Sequence, residues 1–191
     1  VHFTASDVGS GVVSVPGDQT VSTEGSDQSV TGTAVDRAGN TASFTVKGIK
    51  IDKTNSATNC SLSGTQGNDG WYISNVQVNL TATEAASGVA ATTFSFDKSN
   101  WYVYTAPFTI SAEGTTTVYY NSTDNAGNVE STKLATINIA YSVTFTMNGA
   151  PSGTPWNVTL GTTTFSSTSN TISFRVKPGG YFWNVSTTIS G

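Results

Sequence analysis

The chain has 191 residues and a net charge of −4, and only 10% of its side chains are charged, against a usual roughly 25%. Ser and Thr fill the gap, 25 and 33 of them, or 58 of 191 residues. Eight Lys+Arg argue against a nucleic-acid surface, and no apolar run is long enough to span a membrane. Aromatic and β-branched residues are plentiful enough to bury a core.

One cysteine, Cys60, and one histidine, His2, exclude most site chemistry. No intrachain disulfide, His/Cys metal cluster or Cys-His pair is possible, and a Ser-His-Asp triad would have to use His2. Cys60 reads as a small apolar residue in a strand, and His2 as an outward strand residue. No GxGxxG, P-loop or HExxH pattern occurs. The expectation is a protein without enzymatic activity. Val1-His2-Phe3-Thr4 is already strand-like, so the signal of a secreted protein would lie upstream.

In chain order, Val30, Gly32 and Ala34, then Phe44 and Val46, alternate with polar residues as half-buried strands do. Ile51-Asp52-Lys53-Thr54 reads as the leading strand of a second domain after a short linker. Val76, Val78, Leu80 and Ala82 alternate, as do Val118, Tyr120 and Ser122, and less regularly Leu134, Ile137 and Ile139. From Tyr141 the motifs change: Val143, Phe145 and Met147 alternate, and residues 151–155 form a turn. Strands are expected at Trp156–Leu160, Thr171–Val176 and Tyr181–Thr187, with Pro178-Gly179-Gly180 as a hairpin turn. The terminal Ser186–Gly191 is also strand-like.

An internal repeat organises this series. Residues 4–12, TASDVGSGV, match residues 81–89, TATEAASGV, at an offset of 77. The Glu24-Gly25 step matches Glu113-Gly114 at 89, and Asp36-Arg37-Ala38-Gly39-Asn40 matches Asp124-Asn125-Ala126-Gly127-Asn128 at 88. The Glu-Gly and Ala-Gly-Asn steps read as turns, where Gly or Asn takes positive φ cheaply. The second copy is longer around Phe94–Tyr104. The expected fold is all-β, with tandem immunoglobulin-like sandwiches at 1–50 and 51–140 and a smaller C-terminal β-sandwich at 141–191. Copy two has 30 residues before Thr81, whereas copy one has three before Thr4. Copy one therefore lacks its N-terminal strands, to be supplied by upstream polypeptide or by a neighbouring chain through β-augmentation.

The Ser-Gly-Val, Glu-Gly, Asp-x-Ala-Gly-Asn and Ile-Asp-Lys-Thr motifs resemble the bacterial-type immunoglobulin-like repeats of large secreted and cell-wall proteins. The longer copy, with Gly70-Trp71-Tyr72 and Trp101-Tyr102, resembles these repeats in OmpL47-type surface proteins. Asn55 stands where that family has a proline. Residues 141–191 resemble short β domains repeated in archaeal surface proteins. The resemblance implies extracellular, non-catalytic modules of a cell-surface structure such as an S-layer, stalk or filament. Its partners would be copies of itself or neighbouring surface-protein subunits. The alternative is a carbohydrate-binding or adhesin module, appended to a secreted enzyme.

Three residue groups are candidate sites. Asp7, Asp36 and Asn40 with Asp52, and Glu84 with Asp124 and Asn128, could converge at the two domain junctions to hold calcium, which takes six to eight oxygens. The competing reading is Asx turns, in which Asp and Asn bond their own backbone. No other cofactor is implied. Asn59, Asn79, Asn121, Asn157 and Asn184 head Asn-x-Ser/Thr sequons and are glycosylation candidates. Trp71, Tyr72, Trp101, Tyr102 and Tyr104 could stack on sugar rings, with packing in the longer domain as the competing reading.

Overall fold

The computed structural model describes residues 1–187. The described residues contain no helix, and strands make up 54%, so the all-β expectation holds. The chain divides into two compact units. The first gathers residues 1–58, 81–93 and 121–132, and the second 59–80, 94–120 and 133–191.

In copy one, β1 (Val12–Ser14), β2 (Gly25–Asp36) and β3 (Thr41–Ile51) form an antiparallel sheet in that order. The pairs Val30↔Val46, Gly32↔Phe44 and Ala34↔Ala42 place Val30, Ala34, Ala42, Phe44 and Val46 on one face, because successive side chains alternate. The opposite face pairs hydroxyls: Thr31 with Thr45 and Thr33 with Ser43, both at 2.8 Å.

Copy two has two sheets. One is β4 (Ala57–Ser63), β5 (Val76–Thr83) and β8 (Phe108–Ile110), in the order β4-β5-β8. The other is β6 (Val89–Ser95), β7 (Tyr102–Val103), β9 (Gly114–Asp124) and β10 (Lys133–Ile139), in the order β10-β9-β6-β7. Val76, Val78, Val118 and Ile137 are fully buried between them, with Tyr72, Leu80, Ile110, Tyr120 and Ile139. The leading strand of this copy is β4 rather than Ile51–Thr54. Ile51 ends β3, and residues 52–56 form a linker.

The longer loop of copy two is the β6–β7 hairpin. Asp97 closes it by accepting the N–H groups of Ser99 and Asn100, both at 2.8 Å. Those donors and the Asn100 side chain hold its carboxyl well below the usual range. Phe94 leaves this hairpin to stack on Phe108 at 4.4 Å.

The C-terminal region holds β11 (Tyr141–Thr146), β12 (Trp156–Leu160), β13 (Thr163–Ser167), β14 (Thr171–Val176) and β15 (Trp183–Thr187). β11 pairs with β14, and β12 lies between β13 and β15. Trp156, Val158, Ile172 and Phe174 form its core. β12 and β14 coincide with the expected strands. Pro178-Gly179-Gly180 is not a hairpin turn, because β14 and β15 on its two sides join different sheets. Residues 188–191 of the strand-like terminal segment lie outside the described residues.

Candidate functional site at the linkers

The two copies share more than motif letters. In copy one, Asp7 Oδ2 accepts the Gly11 N–H at 2.6 Å; in copy two, Glu84 Oε2 accepts the Gly88 N–H at 2.6 Å. The Arg37 N–H donates to the Gly11 carbonyl at 3.0 Å, and the Asn125 N–H to the Gly88 carbonyl at 2.9 Å. Asp36 and Asp124 each accept two bonds from the Asn four residues on, through its N–H and its side-chain amide, all at 2.8 Å. Gly39 and Gly127 take φ of 88° and 92°, which L side chains rarely adopt. One loop design has therefore been built twice.

These bonds set the carboxylates' protonation. The N–H groups of Ala86 and Gly88 hold Glu84 below its ordinary value. The Asn40 side chain does the same for Asp36. Burial pushes Asp124 up, but Asn128 and the N–H groups of its loop outweigh it and bring the carboxyl down.

Asp52 joins the second of these loops, not the first as expected. Its Oδ2 accepts the Ser87 N–H at 3.2 Å, and its carbonyl accepts the Asn128 side-chain amide at 3.2 Å. The reason lies in chain direction: Asp52 opens the linker that leads into copy two, so it reaches that copy's loops. The carboxylates spend their lone pairs on loop N–H groups, as in the Asx-turn reading. Among the described residues no group of three or more His, Cys, Asp or Glu could hold a metal ion.

The glutamates of the Glu-Gly steps, expected only to form turns, hold backbone where one β region passes into the next. Glu24 Oε1 accepts the Lys53 N–H at 2.7 Å, and the same carboxylate accepts the Thr54 hydroxyl at 2.8 and 3.0 Å. Lys53 Nζ donates back to the Ser22 carbonyl. The second Glu-Gly step does the same: Glu113 Oε1 accepts the Ser142 N–H at 3.0 Å. Glu24 to Glu113 and Lys53 to Ser142 are both displaced by 89 residues. At Ala140, the one residue between β10 and β11, Arg175 of β14 pairs with Glu113 at 2.5 Å and donates to the Ala140 carbonyl at 2.9 Å. Nearby in chain order, Lys177 pairs with Asp69, which lowers the Asp69 pKa and raises that of Lys177. The 89-residue displacement was the signal available in the sequence.

The aromatic set does not form one platform. Tyr72 is in the core at 7% exposure and cannot stack on a ligand. Its N–H donates to the Asn138 carbonyl and its carbonyl accepts the Ala140 N–H, both at 2.8 Å, which pins it beside β10. Trp71 is half-buried. Tyr104 packs edge-on to Phe108 and donates to Asn79 Oδ1 at 2.8 Å. Trp101 and Tyr102 are exposed on the β6–β7 hairpin, where the Trp101 ring N–H donates to the Lys98 carbonyl at 3.1 Å.

Of the sequon residues, Asn59 and Asn184 are exposed. Asn79 is exposed with its amide oxygen bonded to Tyr104, and half-buried Asn121 accepts the Thr93 hydroxyl at 2.6 Å. Asn157 is half-buried. Cys60 is half-buried against the copy-two core, and burial pushes its thiol pKa up. His2 is exposed and bonded to Asp18 at 2.6 Å, which holds Asp18 below its ordinary value. No family model and no curated protein matches the chain.

Proposed function

We propose that the chain is a non-enzymatic structural segment of a large extracellular surface protein or filament. In this reading its immunoglobulin-like sandwiches at 1–50 and 51–140 and the small β domain at 141–191 act as spacers, and the linkers act as set joints. The observation that carries the reading is the repeated bond from a Glu-Gly carboxylate to a backbone N–H where one β region passes into the next: Glu24 to Lys53 in the 52–56 linker, and Glu113 to Ser142 at the start of β11. A carboxylate that holds backbone fixes the direction in which the chain leaves a sandwich. A flexible tether would gain nothing from it. The low charge and abundant hydroxyls suit a surface solvated by Ser and Thr.

The test has two parts. An antibody to the chain should label the outside of intact source cells, and labelling confined to the cell interior refutes the extracellular role. Small-angle scattering of the chain should give one narrow length distribution that broadens in the Glu24→Ala/Glu113→Ala double variant. An unchanged distribution refutes the joints.

The exposed hairpin pair Trp101 and Tyr102, with Phe96 at 45% exposure, favours a second reading as a glycan-binding module. Quenching of Trp fluorescence by soluble glycans, lost in Trp101→Ala, would support it.

A further inference from the structure

A cleft of about 570 Å³ lies within the second compact unit. That is inside the roughly 300–1,000 Å³ of small-molecule sites. Its apolar walls are Trp71, Ile73, Leu160, Phe165 and Tyr181. Local bonds fix these rings in place. The Gly67 N–H donates to the Trp71 carbonyl at 2.7 Å, and the Ile73 N–H to the Thr65 carbonyl at 2.9 Å, so the chain folds back at Asp69 and Gly70, which take φ of 54° and 76°. Tyr72 goes into the core, and its neighbours Trp71 and Ile73 are left to line the cleft. Phe165 lies flat on Phe174 at 4.2 Å, and the Tyr181 hydroxyl donates to the Lys177 carbonyl at 2.9 Å.

The charged part of the lining has one sign. Arg175 and Lys177 belong to it, and no Asp or Glu does. Their partners Glu113 and Asp69 stand outside the lining. Arg175 makes both of its bonds, to Glu113 and to the Ala140 carbonyl, through Nη1. Its Nε–H and Nη2–H groups bond nothing among the described residues. Two parallel N–H groups on a guanidinium edge are the fork that a carboxylate fits. The Asn68 amide and the Thr163 hydroxyl also line the cleft, and neither side chain bonds another described residue.

We propose that this cleft binds an acidic saccharide, a sugar chain whose rings carry carboxylates. The ligand's C–H faces lie against the aromatic walls, as amphipathic rings do. A ring carboxylate takes the free edge of Arg175, with Lys177 adding a second positive charge. The ligand's hydroxyls meet Asn68 and Thr163, which can each donate and accept. A purely apolar ligand would strip water from Arg175 and Asn68 and give nothing back. A neutral sugar would satisfy the walls and the amide but leave the guanidinium edge without its anion. The site goes beyond the spacer reading and does not need it, and it shares no residue with the Trp101–Tyr102 hairpin.

The test titrates the full chain with trigalacturonate and, separately, with the neutral trisaccharide maltotriose, followed by NMR of side-chain N–H groups. Trigalacturonate is expected to move the Trp71 indole and Arg175 Nε signals while the buried Trp156 indole stays put. Maltotriose should bind about tenfold more weakly, and added salt should weaken the acidic ligand alone. Arg175→Lys keeps the charge but loses the fork, and should cost about tenfold in affinity. Trp71→Ala should cost a similar factor; if that variant does not fold, the signals of the unaltered chain still read the site. Still signals at Trp71 and Arg175 in millimolar trigalacturonate overturn the inference. So does equal affinity for the two sugars, or binding that is lost in Trp101→Ala but kept in Trp71→Ala. Each of these failures leaves the joints untouched, because scattering of the Glu24 and Glu113 variants reads those separately.

Discussion

Replacing Glu113 with Ala removes the acceptor of the Ser142 N–H and the ionic partner of Arg175. Arg175 keeps its bond to the Ala140 carbonyl. A hydrogen bond to a charged group contributes about 1.5–3 kcal/mol. Glu113 and Arg175 are 36% and 34% exposed, so solvent screens a good part of this. About 1–1.5 kcal/mol remains, close to a tenfold change in the local opening equilibrium. Residue-resolved amide exchange reads that directly. Ser142 should exchange about tenfold faster in Glu113→Ala, while the amides of Val118 and Ile137 in the core stay as they were. Glu113→Gln retains an acceptor oxygen and should lose less. Glu24→Ala should do to Lys53 what Glu113→Ala does to Ser142, since the same bond is made there. If Ser142 exchanges equally fast with and without the carboxylate, the start of β11 is not held by Glu113, and the joint reading collapses.

Three other perturbations separate the forces at work. Ile137→Ala, at a fully buried site, should cost about 2–5 kcal/mol in urea unfolding. Leu134→Ala on the same strand, 57% exposed, should cost under about 0.5 kcal/mol; similar losses would mean the core is misplaced. Acid should weaken the repeated loops. Asp36, Glu84 and Asp124 all sit below their ordinary values when folded, so their contribution is complete above those values, near pH 4 and higher, and fades as pH falls through the lowered ones. A melting temperature constant from pH 6 to pH 2 would contradict this. Gly114→Ala should destabilise more than Gly39→Ala. Both have positive φ, but at Gly114 the new Cβ would also stand 2.7 Å from the Tyr141 hydroxyl, whereas at Gly39 nothing lies within 4 Å. Equal melting shifts would remove the steric argument.

Local pattern was a good guide wherever a strand had one wet and one dry face. Val118, Tyr120 and Ser122 are buried in alternation along β9, as their spacing demands. β13 escaped notice because Thr163–Ser167 carries a single apolar residue, Phe165, and so has no alternation to read. At 178–180, Pro and Gly report that the chain turns, but not which sheet the next strand joins; that depends on partners far away in sequence. The same limit explains Asp52. Its neighbours Ser87 and Asn128 are 35 and 76 residues on. For Tyr72 the sequence leaves sugar stacking and packing in the longer domain both open, and backbone bonds to β10, distant in sequence, draw it into the core.

The unusual composition follows from this architecture. The solvent faces of the strands are satisfied by hydroxyl pairs: Thr31 with Thr45 and Thr33 with Ser43 in copy one, Thr144 with Ser173 and Thr159 with Thr164 in the C-terminal region. Such pairs serve both as β-formers and as polar surface, so the strands need few ions. Many of the charges instead hold backbone at loops and at the passages between β regions. Glu24, Asp52 and Lys53 are at the 52–56 linker, and Glu113 and Arg175 meet where β10 passes into β11, while Asp7, Asp36, Glu84 and Asp124 close the repeated loops. A carboxylate suits that task because it accepts several N–H groups at once and binds them more strongly than a neutral oxygen does. Neutralising these few groups should therefore loosen loops and linkers long before it disturbs the sheets. Raising salt should have less effect than lowering pH, because loop N–H groups rather than distant charges are their main partners.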